Sequence, residues 1–267
     1  MADPTTEHSL GVFIDFENLV LGLKDLPNGR KRKTNQIIDM RKVFDRLLEK
    51  GKIVAKVAYC DWQNYPSYVT PLHELGIELI EIPQRRISGK NSADIRLVVD
   101  AMEYCSSRDN IDTFVIISGD SDFLPLVSKL KEYGKTVIGV GMREATSDLL
   151  AANCDEFIFY DDIGASKEIP KLGTDVPRKQ RTVYKLLLET VDALLRDNIT
   201  NIHSSRIKDT IRRKLPQFSE RSYGYRSFNQ LLEEAAEKGY IVIERDPRSG
   251  TYAVQGFGKR EAEQHVN

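Results

Sequence analysis

The strongest constraint in this sequence is an alternation. Six short apolar runs occupy 11–15 (GVFID), 52–60 (KIVAKVAYC), 77–82 (IELIEI), 113–117 (TFVII), 136–140 (TVIGV) and 156–160 (EFIFY). Between them, 35–50, 66–75, 93–107, 122–133 and 145–152 carry apolar residues at helical spacing. Strand and helix in turn at this density predict βαβ units. Several runs are continuously apolar, as strands must be when helices cover both faces. The fold class is therefore α/β, a mostly parallel sheet with helices on both sides.

The pattern stops at 164–178 (GASKEIPKLGTDVPR), where prolines and glycines replace the apolar period, and a linker is expected there. Beyond it, 180–197, 203–214 and 226–238 read as helices. The stretch from 240 to 256 reads as two strands around a turn at Asp246-Pro247-Arg248-Ser249-Gly250. Three helices and a hairpin make the winged helix-turn-helix order. The expected organisation is a domain at 8–163, a linker at 164–178, a smaller domain at 179–256 and a frayed tail at 257–267.

The chain has 267 residues, enough for two cores. With 39 basic and 40 acidic residues its net charge names no partner. Cys60, Cys105 and Cys154 are odd in number, far apart and preceded by no signal peptide, so they read as reduced thiols in a cytoplasmic protein. No apolar run is long enough to cross a membrane, and the four histidines have no metal-ligand spacing to a cysteine.

In an open parallel sheet, ligands bind beyond the carboxyl ends of the strands, where strand order reverses. Asp15 ends the first run, and Asp120 and Asp122 follow the fourth. First and fourth strands are commonly neighbours in such sheets, so these acids should share one crevice. The stretch 89–104 (GKNSADIRLVVDAMEY) contributes a further candidate. Ser92 is expected to cap a helix starting near Ala93, with Asp94 in its first turn. Taking Ile95, Val98, Val99, Met102 and Cys105 as the buried stripe puts Asp94 at its edge and Asp100 on the solvent side. Asp94 is thus the functional candidate and Asp100 a surface charge.

Taken one at a time, each aspartate is as well explained by a helix cap or a turn. As a converging set they repel, and burial raises their pKa values further. A hard divalent cation, Mg²⁺ or Mn²⁺, resolves that repulsion and suits phosphodiester chemistry. Asn18, three residues after Asp15, is expected to orient a carboxylate, a water or a phosphate.

The stretches FIDFEN, GKNSADIRLVVDA and VIISGDSDFLPLVSKLKEYGKTVIGVG resemble the NYN domains of the LabA-like (DUF88) group, relatives of the PIN-domain nucleases, over about 8–163. The resemblance implies a PIN-like Rossmannoid fold and a Mg²⁺- or Mn²⁺-dependent ribonuclease site. It places the acidic set on Asp15, Asp94, Asp120 and Asp122 and the characteristic asparagine on Asn18. The segment FSERSYGYRSFNQLLEEAAEKGYIVIERDPRSGTYAV resembles an OST-HTH, or LOTUS, domain. Such modules accompany NYN domains and bind RNA, while some eukaryotic ones bind helicases, a protein partner. PIN-like nucleases often self-associate.

Between 178 and 256 there are 15 basic and 10 acidic residues, a positive segment on a chain that is otherwise acidic. Lys208 and Arg212 lie on one helix. Arg221, Tyr223, Tyr225 and Arg226 interleave cations with rings, a pattern suited to phosphate contact and base stacking. Arg30, Arg32, Arg85, Arg86 and Lys90 fall in two basic stretches expected as loops at the site's rim. Either set also reads as ordinary solvated charge. A catalytically weak RNA-binding adaptor is the alternative to a ribonuclease. A haloacid-dehalogenase-type phosphatase is disfavoured because Phe16-Glu17 follows Asp15 where a D-x-D pattern is needed.

Overall fold

The computed structural model describes residues 8–24, 38–83, 91–163, 169–173, 176–197, 199, 201–245 and 250–258. The chain divides into two compact units, 1–165 and 166–267.

All six apolar runs of the first unit are strands: β1 (His8–Asp15), β2 (Gly51–Cys60), β3 (Glu78–Glu81), β4 (Thr113–Ile117), β5 (Thr136–Gly141) and β6 (Glu156–Phe159). They form one parallel sheet in the order β3-β2-β1-β4-β5-β6. The helices are α1 (Phe16–Lys24), α2 (Met40–Lys50), α3 (Pro66–Glu74), α4 (Ser92–Ser107), α5 (Leu124–Glu132) and α6 (Asp148–Asn153).

Side chains alternate across a strand, so two cores form. Val12, Ile14, Val115, Ile117 and Val140 point to one face and pack with α1, α2 and α3. Phe13, Phe114, Ile116, Val57 and Tyr59 point to the other and pack with α4, α5 and α6. The chain order reverses between β1 and β4, whose Cα partners run from Leu10↔Thr113 to Ile14↔Ile117. Ligands are expected beyond the strand ends at that reversal.

Three local expectations change. The sequence pattern passed over α1, because Phe16 begins a helix directly after Asp15 with no spacer, and Phe16, Leu19 and Val20 merge with the preceding strand into one apolar run. Residue Asn91 occupies the cap position of α4 without a side-chain cap bond, and Ser92 is already helical. The buried face of α4 is Leu97, Ala101 and Cys105, while Ile95 and Val99 are 64% and 55% exposed. The helix is thus turned from the expected stripe, and Asp100, assigned to solvent, is buried.

The second unit has α7 (Arg181–Arg196), β7 (Ile202–His203), α8 (Ser204–Lys214), α9 (Phe228–Glu237), β8 (Ile241–Arg245) and β9 (Tyr252–Phe257). Its antiparallel sheet has the order β7-β9-β8. The helices are amphipathic, and Leu187, Leu188, Ile207, Ile211, Leu231 and Leu232 close a core against Ile202, Ile241 and Val254. Part of the expected linker belongs to this unit. Val176 is buried in its core, Ile169 and Leu172 pack against it, and the Gly173 amide donates to the Tyr240 hydroxyl at 2.9 Å. Pro and Gly composition marks a segment without its own secondary structure, which can still be packed. Four residues of the expected turn, 246–249, lie outside the described residues. Cys60 and Cys105 are buried, Cys154 is half-buried, and all three are free thiols. Among the described residues no helix is long and apolar enough to cross a membrane.

Candidate active site

Asp15 closes β1 and caps α1. Its Oδ1 accepts the Asn18 backbone N–H at 3.2 Å, the third residue of the helix, where a capping side chain belongs. Its Oδ2 accepts the Ser118 hydroxyl at 3.0 Å, from just beyond the end of β4. The Ser118 hydroxyl in turn accepts the Asp120 N–H at 3.2 Å. Asp120 Oδ1 accepts the Asp122 N–H at 2.9 Å and caps the short helical turn Ser121–Phe123. Both aspartates therefore cap, and capping also fixes their carboxylates at the sheet edge.

Asn18 also makes a structural bond. Its Oδ1 accepts the Gly119 N–H at 2.9 Å. The β1–α1 turn thus grips the 118–120 loop twice, through Asp15 to Ser118 and through Asn18 to Gly119. A third element joins where the Ser147 N–H donates to the Gly119 carbonyl at 2.9 Å. A Cβ at Gly119 would lie 2.4 Å from the Ala145 carbonyl oxygen, so only glycine fits this crossing of backbones. Ser118 and Gly119 went unnoticed in the sequence. The dipeptide signals a turn, and only the fold reveals what it touches.

Asp94 sits half-buried in the first turn of α4. Burial, and then the charges of Asp120, Asp122 and Glu17, push its carboxyl up to about 6. The Asp15 carboxyl is pushed up to about 7. Burial is the largest cause, the bonds from Asn18 and Ser118 oppose it, and the charges of Asp94 and Asp120 add to it. The charges of Asp94 and Asp120 thus reach Asp15, and those of Asp120 and Asp122 reach Asp94. Glu17, also missed, joins them from α1.

The donor chemistry of this group suits a hard divalent cation. All donors are carboxylate oxygens, and the neighbouring charges acting on Asp94 are all negative, a repulsion that a cation relieves. Among the described residues, however, no three His, Cys, Asp or Glu side chains already surround one point at metal-binding reach. The residues fit such an ion in type and charge.

The basic candidates divide. Arg30, Arg32, Arg85, Arg86 and Lys90 lie outside the described residues. In the second unit Arg212, Arg221 and Arg226 are exposed. Lys208 is paired with Glu220 at 2.9 Å and half-buried. Tyr223 is half-buried and stacks on Phe218 with ring centroids 6.1 Å apart. Tyr225 is 2% exposed and belongs to the core beside Tyr184, so it offers no face for base stacking. Its alternation with arginines reflects a turn that sends the ring inward and the cations outward.

A parallel α/β sheet with carboxylates gathered beyond its central strand ends defines the class of molecule. Residues 9–161 match the NYN domain, and the chain belongs to that family. At the family level these domains are nucleases. An uncharacterized protein of Methanocaldococcus jannaschii is 32% identical over 142 residues, 53% of this chain and 55% of that protein. The chain spans about half the length of this curated relative. A protein of unknown function from Vibrio parahaemolyticus, known from its crystal structure, is similar at a TM-score of 0.50 and 21% identity. The match covers 60% of this chain and 98% of that one, and the likeness is one of fold.

Proposed function

We propose that the first unit is a Mg²⁺- or Mn²⁺-dependent ribonuclease and that the second, read as an OST-HTH winged-helix module, binds RNA. The observation that carries the nuclease half is the gathering of acidic charge at the β1–β4 reversal: Asp94 and Asp120 act on the buried Asp15, and Asp120 and Asp122 act on Asp94. The order of three helices and a β-hairpin around one core, with exposed arginines, supports the binding half.

In this reading the four aspartates hold the cation. When bound, it supplies Lewis-acid polarisation of the phosphodiester and activation of a water. The chain's own part is placement. Ser118 and the Asn18 N–H hold the Asp15 carboxylate by both oxygens, and Asn18 keeps the 118–120 loop against α1. Arg30, Arg32, Arg85, Arg86 and Lys90 flank the acidic residues in sequence and would neutralise phosphate oxygens. Arg212, Arg221 and Arg226 would hold the strand elsewhere on its backbone.

The test is cleavage of single-stranded and structured RNA with Mn²⁺, with and without EDTA. Cleavage lost in EDTA and in Asp15→Asn is expected. Full activity in Asp120→Asn would contradict the assigned roles. The second reading, an RNA-binding adaptor with little turnover, is favoured by one observation: no three acidic side chains are already closed around a cation position among the described residues. Salt-sensitive RNA binding with no cleavage under any divalent metal would select it.

A further inference from the structure

Asp100 is the one side chain on the buried face of α4 that the nuclease reading leaves without a task. The face is otherwise apolar or small: Leu97, Ala101 and Cys105 are buried there. A carboxylate in such a place costs desolvation unless it is bonded. Asp100 is bonded on both sides. Its Oδ2 accepts the hydroxyl of Tyr59, a residue with no exposed surface, at 2.9 Å. Arg96 Nε, one turn earlier, reaches its two oxygens at 2.8 and 3.0 Å.

Tyr59 is the Cα partner of Asp15 across β1 and β2. Asp94 is six residues before Asp100 on the same helix. The Tyr59–Asp100 bond thus runs from the strand position level with Asp15 to the helix that carries Asp94. Apolar contacts alone resist separation but permit a helix to roll or slide, whereas a hydrogen bond weakens steeply with distance and angle. On a helix with side chains about 5 Å from its axis, a roll of about 10° moves a carboxylate by roughly 1 Å. That shift is enough to spoil a catalytic or metal site.

We infer that Tyr59 and Asp100 are positioning residues whose buried hydrogen bond sets the rotation and depth of α4, and so the place of Asp94 opposite Asp15. The inference rests on the reading that these two carboxylates share a cation.

The experiment uses the full chain and four variants: Tyr59→Phe, Asp100→Ala, Asp100→Asn and Val127→Ala. Val127, on the buried face of α5, lies in the same core and serves as a packing control. Mn²⁺ affinity is read by electron paramagnetic resonance, stability by thermal melting, and protection of the 92–95 amides by hydrogen exchange. Tyr59→Phe and Asp100→Ala are expected to bind Mn²⁺ about 10-fold more weakly. Their kcat should fall at least as far, with KM for RNA within about twofold of wild type, since uniform substrate binding is untouched. Exchange at 92–95 should quicken. Asp100→Asn keeps an acceptor for the Tyr59 hydroxyl and should recover most of the affinity. Val127→Ala should lower Tm without changing Mn²⁺ affinity or exchange at 92–95.

Wild-type Mn²⁺ affinity and exchange in Tyr59→Phe would overturn the inference. So would an equal loss of both in Val127→Ala at the same fall in Tm. If the wild-type chain takes up no Mn²⁺, the cation reading fails. Hydrogen exchange then still decides whether the bond fixes the start of α4.

Discussion

The Asn18 side chain accepts the Gly119 N–H at 2.9 Å across 101 residues of sequence. Together with the Asp15–Ser118 bond it holds the β1–α1 turn to the loop after β4. Removing the acceptor strands the amide of Gly119, which is buried. Asn18→Ala should destabilise the first unit by about 1–3 kcal/mol, measured by urea denaturation. RNA cleavage should fall more than about tenfold, because Asp120 follows the freed amide directly. A variant as stable as wild type would contradict the role of this bond.

Asp15 costs the cation-free protein stability. Its carboxyl is raised from 3.8 to about 7, mainly by burial. In the unfolded chain it ionises near pH 4, so between pH 4 and 7 the folded state binds the extra proton and stability falls as pH rises. Above pH 7 the loss is complete and constant. Asp15→Asn should therefore be more stable than wild type by about 1–3 kcal/mol at pH 8 and nearly equal to it at pH 4. Urea melts of both proteins in EDTA at the two pH values measure the difference. Equal stability at pH 8 would show that the carboxylate is better solvated than its burial implies.

The same protons compete with a cation. Asp94 is raised to about 6 and Asp15 to about 7, and the two titrate as a coupled set. Mn²⁺ affinity should climb by about one to two logarithmic units per pH unit below pH 6, by about one between 6 and 7, and level off above that. Calorimetry in buffers of different ionisation enthalpy counts the protons released. A pH-independent affinity would place the ion elsewhere.

Tyr225 and Arg221 should part company. Tyr225→Ala empties a core position and should cost about 3–5 kcal/mol, whereas Tyr225→Phe should change stability by less than about 1 kcal/mol. RNA affinity of Tyr225→Phe should match wild type, since the ring is buried. Arg212→Ala and Arg221→Ala, both exposed, should keep the fold and each lower the slope of log affinity against log salt by about one if they touch phosphate. Filter binding across a salt series reads this directly.

The six strands could be read from the sequence because each has a short apolar run, continuous on both faces in the central β1, β4 and β5, a signal that depends on no distant residue. The carboxylates could be read because they stand at strand ends, where topology concentrates ligands. The rotation of α4 could not. Ile95, Val98 and Val99 compete with Leu97 and Ala101 for the inner face, and both sets recur at helical spacing. A bond that no local pattern shows is the one from Tyr59, 41 residues away, whose hydroxyl donates to the buried Asp100. Tyr225 misled for the related reason that alternation with arginine looks alike whether a ring packs or stacks. The packed stretch around Val176 was hidden because a proline- and glycine-rich segment declares its lack of helix and strand, and nothing about its burial.

The pairing of β1 directly with β4 has a bearing on how this protein is made. Ser118, Asp120 and Asp122 emerge from the ribosome about a hundred residues after Asp15. Until β4 has been synthesised and laid beside β1, the first carboxylate lacks the Ser118 bond and the companions that follow β4. The complete acidic set is therefore a product of long-range folding, and a fragment that ends before β4 cannot assemble it.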